Sequence, residues 1–160
     1  MSKKIRIRGI LSRKRKVALF VDGPNILRKD FNIRLEDLLE LASKYGKVSI
    51  AKVYLNPHAP KKLTEAISNS GLTPEIVTSD IHIKMAVDAI SLILKGKIDI
   101  LTIARRHARC VPILRRAKEF GIETVVIGFN PGFSVALKNT ADHSEELKIS
   151  PPSSHNIHQK

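Results

Sequence analysis

Residues 17–25 read Val17-Ala18-Leu19-Phe20-Val21-Asp22-Gly23-Pro24-Asn25, and the fold class turns on this stretch. A continuous apolar run before Asp22 suits a strand buried on both faces, and Gly23-Pro24 turns the chain as soon as the strand ends. Asp22 is thereby expected at the rim of a parallel sheet. Ligands of open α/β sheets gather outside the carboxyl ends of the strands, so an acid there can hold a metal ion or a metal-bound phosphate. The plainer alternative is that Asp22 only caps the turn that follows.

Downstream, apolar runs alternate with helical patterns. Leu35, Leu38, Leu39, Ala42 and Tyr45 recur at three-to-four spacing up to Gly46, which predicts an amphipathic helix. Val48 to Leu55 is rich in β-branched residues and predicts a strand; residues 60–70 predict a helix closed by Gly71; Thr73 to Thr78 a strand; Lys84 to Lys95 a helix closed by Gly96. Ile98 to Ala104 predicts a strongly apolar strand, Val111 to Phe120 a helix, Thr124 to Ile127 a strand and Phe133 to Asn139 a last helix before a short stretch at Glu146 to Ile149. Strands alternating with helices define βαβ units. They predict an α/β three-layer sandwich around a central, mainly parallel sheet.

Charge divides the chain. Residues 1–16 hold Lys3, Lys4, Arg6, Arg8, Arg13, Lys14, Arg15 and Lys16 without an acid, and they carry most of the net charge of +13. The expected organisation is a basic arm over 1–16, a folded domain over 17–149 and a disordered tail over 150–160. Such a balance points to a polyanion partner, foremost nucleic acid, held through phosphate contacts that release counterions. A solvated tail or an acidic protein partner would also account for it. At 4% aromatic residues and no Trp, base stacking can contribute little, so recognition should rest on phosphate and shape. No apolar run nears the roughly 20 residues of a membrane span, residues 1–16 do not resemble a signal peptide, and one cysteine excludes an internal disulfide. These features predict a cytoplasmic protein. They leave the oligomeric state open, a homodimer included.

The candidate chemistry collects at strand ends: Asp22 and Asn25 after the first strand; Asp80, His82, Lys84 and Asp88 after the third; Arg105, Arg106, His107 and Arg109 after the fourth. Taken in order, VDGPN, IHIKMAVDA, LTIARRHARCVPILRRAKEFGIETVVIG and GFSVALKNTAD resemble the NYN domain, a branch of the PIN-like nucleases, over about residues 17–145. The resemblance implies a PIN-like α/β sandwich and ribonuclease ancestry. In that family, acids at the strand ends bind magnesium or manganese, which activates water against a phosphodiester. Asp22, Asn25 and Asp88 match the family's catalytic positions. His82 stands where the family usually has Asp, and His107 and Arg109 replace both acids of an S/T-x-D-x-D-F-x-P motif.

Three lost carboxylates change the expected chemistry. A unit-charge pair at 4 Å is worth about 4 kcal/mol at an effective dielectric near 20, so an arginine in place of an acid turns attraction for a cation into repulsion. A guanidinium beside Asp22 could instead anchor a phosphate or neutralise Asp22 or Asp88 internally. The first reading is therefore an RNA-binding domain with a degenerate metal site and weak or absent cleavage, which takes magnesium or manganese if the site is active and no cofactor otherwise, with Lys14, Arg15, Lys16, Lys84, Arg105, Arg106 and Arg109 as phosphate contacts. Two alternatives stand beside it. One is an active metal-dependent ribonuclease using Asp22, Asp88 and Asp80, or a rebuilt manganese, zinc or iron site of Asp22, Asp88, His82 and His107. The other is a basic protein-interaction module. Cys110 reads as a small apolar residue, and Lys84 and Asp88 as an i,i+4 pair.

Overall fold

The computed structural model describes residues 14–149. Within them, six strands form one sheet: β1 (Lys16–Asp22), β2 (Lys47–Leu55), β3 (Thr73–Ile76), β4 (Ile100–Ala104), β5 (Glu123–Gly128) and β6 (His143–Glu146). Every strand pairing is parallel, in the order β3-β2-β1-β4-β5-β6. The connecting helices are α1 (Gly23–Ile26), α2 (Leu35–Ser43), α3 (Lys61–Asn69), α4 (Ile81–Leu94), α5 (Val111–Glu119) and α6 (Val135–Thr140). Helices α1 to α3 cover one face of the sheet, and α4 to α6 the other.

The change of face follows from chain direction. Strands β1 to β3 are laid down outward in one sense, and the chain then returns past β1 to place β4 on its other side. Right-handed crossovers in opposite directions put their helices on opposite faces. Each strand therefore has an apolar layer above and below it. Val17 to Val21 and Ile100 to Ala104 are fully buried, as the unbroken apolar runs predict. Alternate residues serve different cores: Ala18 and Phe20 pack with Met85 and Leu114, whereas Val17, Leu19 and Val21 pack with Leu38 and Ile67.

Several boundaries differ from the sequence reading. α4 begins at Ile81 rather than at Lys84, because the Asp80 carboxylate accepts hydrogen bonds from the backbone N–H of His82 (2.8 Å) and Ile83 (3.3 Å) and so starts the helix earlier. The last element is the strand His143–Glu146, whereas the sequence reading placed a short stretch at 146–149. The turn at Gly23-Pro24 is a one-turn helix, with proline in its first turn. Gly23 has no room for a side chain: a Cβ there would stand 2.5 Å from the Tyr54 carbonyl oxygen. Most of the basic arm (1–13) and the tail (150–160) lie outside the described residues.

The reversal of strand order falls between β1 and β4, which are adjacent and parallel, with Val21 opposite Ala104. Their carboxyl ends leave a crevice where the chain departs in two directions, the usual ligand position in an open α/β sheet. Asp22 ends one of these strands and Arg105 follows the other.

Candidate functional site at the strand ends

A cavity of about 470 Å³ occupies this crevice. Three loops wall it: Pro24, Asn25 and Arg28 after β1; Ser79, Asp80 and His82 after β3; and Arg105, Arg106, His107 and Arg109 after β4.

Asp22 lies at its floor, 3% exposed, and does not cap the turn through its side chain. Its Oδ2 is in direct ionic contact with Nη1 of Arg105, which is itself 4% exposed. The Arg105 Nε–H donates to the His107 carbonyl at 3.1 Å, and its backbone N–H to the Ile127 carbonyl at 2.9 Å. The guanidinium is therefore fixed at both ends. Burial lowers the affinity of Arg105 for its proton, yet an arginine starts so high that it stays charged at neutral pH. His82 approaches Asp22 from the other side, Nε2 to Oδ2 at 3.5 Å, while its Nδ1 lies 3.1 Å from Asp80 Oδ1. Backbone hydrogen bonds from His82 and Ile83, with the His82 side chain adding to them, hold the Asp80 carboxyl below its usual range.

Arg106 and Asn25 bind each other. The Asn25 side-chain oxygen accepts the Arg106 backbone N–H at 2.7 Å, and Arg106 donates to the carbonyls of Asn25 (3.3 Å) and Pro131 (2.8 Å). The guanidinium also lies over the rings of Phe31 and Phe129, at 4.7 and 5.0 Å from their centroids. This side chain ties three loops together from a buried position. His107 is exposed at the mouth. Desolvation, then the charges of Arg106 and Arg105, hold its imidazole below the usual range. Arg109 reaches Asp80 at 3.6 Å.

Asp88 is elsewhere. It lies six residues beyond His82 on α4, about 9 Å along the helix axis, and does not line the cavity. Lys84 donates to it at 2.9 Å, Tyr54 Oη at 2.7 Å and Lys52 at 3.4 Å. Burial opposes its ionisation, but these donors prevail and hold the carboxyl below its usual range. The same contact, added to burial, raises the Tyr54 phenol far above its ordinary value. Lys84 is thus committed to Asp88 and Glu75. Lys14, Arg15 and Lys16 stand at the amino end of β1, about 20 Å from Asp22 along the strand, with Arg15 ion-paired to Glu123. The structure brings together Asp22, Asn25, Asp80, His82, Arg105, Arg106, His107 and Arg109, and leaves out Asp88, Lys84 and the basic run.

A hard dication needs several open carboxylate oxygens. Here the Asp22 oxygen faces a guanidinium, Asp80 caps a helix, and Asp88 is held by two lysines and a tyrosine. Among the described residues no three His, Cys, Asp or Glu side chains converge as a metal site. As arranged, the donors do not fit a magnesium or manganese ion.

Arg109 stands where the family has an acid, but the guanidinium on Asp22 is that of Arg105. Register held the clue, since Ala104 ends β4 opposite Val21 and the next residue must meet Asp22. Arg28, which lines the cavity and pairs with Asp30 at 2.9 Å, was missed because it follows a turn of no clear pattern. Two neighbouring residues have structural positions. Cys110 is fully buried, its thiol pushed up to about 11 by desolvation, and the Ser134 hydroxyl caps α6 by accepting the Leu137 N–H.

An all-parallel α/β sheet with a polar crevice at its order reversal defines a doubly wound fold with a strand-end site. Within that class the chain belongs to the NYN domain family, a PIN-like nuclease family, whose profile matches residues 16–148. It is 46% identical over 136 residues to an uncharacterized protein of Methanocaldococcus jannaschii, a match that covers 82% of this chain and 57% of the relative. The chain thus spans little more than half the length of that protein. The crystal structure of a protein of unknown function from Vibrio parahaemolyticus is similar in fold, with a TM-score of 0.74 at 17% identity over 86% of this chain and 95% of the other. Among the described residues no helix is long and apolar enough to cross a membrane.

Proposed function

We propose that this protein binds RNA through its basic surface and that its strand-end site, of ribonuclease ancestry, cleaves weakly or not at all. The observation that carries this reading is the buried Arg105 guanidinium seated on Asp22, where a family nuclease needs a free carboxylate. It is supported by the engagement of Asp88 with Lys52, Lys84 and Tyr54. The net charge of +13 supplies the phosphate affinity, and binding of this kind needs no divalent ion.

The test is fluorescence anisotropy of the full chain with single-stranded RNA over a salt series in EDTA, alongside incubation of the same RNA with magnesium or manganese. The expected outcome is an affinity that falls steeply with salt, and intact RNA in both metals. Absence of salt-sensitive binding overturns the binding half of the proposal. Metal-dependent cleavage that vanishes in Asp22→Asn overturns the other half and restores the active ribonuclease.

A further inference from the structure

The strand-end cavity carries more positive charge than its own carboxylates neutralise. Four guanidiniums line it (Arg28, Arg105, Arg106 and Arg109) against the two carboxylates of Asp22 and Asp80. Arg105 and Arg106 are buried and committed to Asp22, to backbone carbonyls and to aromatic rings. Arg28 and Arg109 are different. Their side chains are 52% and 66% exposed, and their contacts with Asp30 (2.9 Å) and Asp80 (3.6 Å) are solvent-screened pairs that yield readily to a better anion. They enter from separate walls, one behind β1 and the other behind β4. His82 adds a buried Nε2 that makes no hydrogen bond, although it lies 3.5 Å from Asp22 Oδ2.

Building on the RNA-binding reading above, we propose that this cavity receives the phosphomonoester end of an RNA strand rather than an internal phosphodiester. Charge is the first reason. Displacing Asp30 and Asp80 frees the two charges of Arg28 and Arg109, which matches a monoester at about −1.5 to −2 near pH 7 and exceeds the single charge of a diester. Geometry is the second. The cavity has a floor, the buried Asp22–Arg105 pair, and Arg28 and Arg109 stand on separate walls of an open depression above it, so a strand end can be lowered onto both. A terminal phosphate presents three oxygens, enough for two guanidinium forks at once. Where a family nuclease would hold phosphate through a bound cation, this chain would hold it directly through arginine. Recognition therefore proceeds without metal.

The test uses the full chain and one short single-stranded RNA, labelled internally, in three forms: 5′-phosphorylated, 3′-phosphorylated and hydroxyl at both ends. Affinities are measured in EDTA. The expected result is that one phosphorylated form binds about tenfold more tightly than the hydroxyl form, its identity revealing which end is read. Arg28→Ala/Arg109→Ala should abolish that preference, while Arg115→Ala on the outer face of α5 should keep it. The charge-preserving Arg28→Lys/Arg109→Lys variant should lie between, and unchanged melting of these exposed variants separates loss of recognition from loss of fold. Equal affinity for all three forms, with salt-sensitive binding intact, overturns this proposal and leaves RNA binding standing. A preference that survives removal of both arginines also overturns it. Failure to bind any form overturns the RNA-binding reading as well.

Discussion

Replacing Arg105 with methionine probes the contact on which the site is organised. The side chains of Arg105 and Asp22 are each 5% exposed, so the substitution leaves a buried carboxylate without its guanidinium. Removing one partner of a buried ion pair costs about 3–5 kcal/mol, most of it the penalty for the charge left behind. For a domain of this size that corresponds to a fall in Tm of about 10–15 °C. Asp22→Asn should cost less, because Arg105 retains the His107 carbonyl as acceptor. The double variant Asp22→Asn/Arg105→Met removes both charges and should recover to within about 2 kcal/mol of the parent, since a buried ion pair contributes little net stability over a neutral replacement. The chain has no Trp, so the assay is urea unfolding followed by circular dichroism at neutral pH. A coupling of about 2 kcal/mol or more between the two positions is expected. Strictly additive single effects, or an Arg105→Met variant as stable as the parent, would refute the description of Arg105 as the counter-ion of Asp22.

Two further predictions concern the walls of the cavity and the acid limb of stability. Arg106→Lys keeps a charge but loses the guanidinium contacts over the rings of Phe31 and Phe129 and the fork onto the Asn25 and Pro131 carbonyls; it should cost about 2 kcal/mol by the same urea assay, and a neutral effect would contradict the role of Arg106 as the tie between loops. Asp80, Asp88, Glu123 and Asp142 all ionise below their usual range in the folded chain. An unfolded chain with carboxyls near 4 takes up protons first, so their stabilisation is complete above about pH 5 and is lost as pH falls through and below 4. The urea midpoint should decline over that range, less steeply in Asp88→Asn, and a midpoint independent of pH would refute the assignment.

How far the site could be read from the sequence depended on distance along the chain. Asp22 and Arg105 were visible as strand-end residues because each directly follows a buried apolar run. Their pairing was not visible, since it requires β1 and β4 to be neighbours and the order of strands leaves no local trace. Asp88 shows the opposite failure. It matches the family position, but Tyr54 faces it from β2 and Lys84 lies one helical turn behind it, and only the packed structure shows that these donors claim it. His82 follows the same logic, because the capping of α4 by Asp80 sets the helix start that turns the imidazole toward Asp22.

The sequence by itself determined the α/β class, the alternation of elements, the family and the excess of positive charge, because these follow from periodicity, turn chemistry, motif order and composition. The tertiary structure alone decided which charges meet. Burial removes solvent screening at the crevice, so a carboxylate there must acquire a counter-ion, and the parallel register of β1 and β4 makes Arg105 that counter-ion.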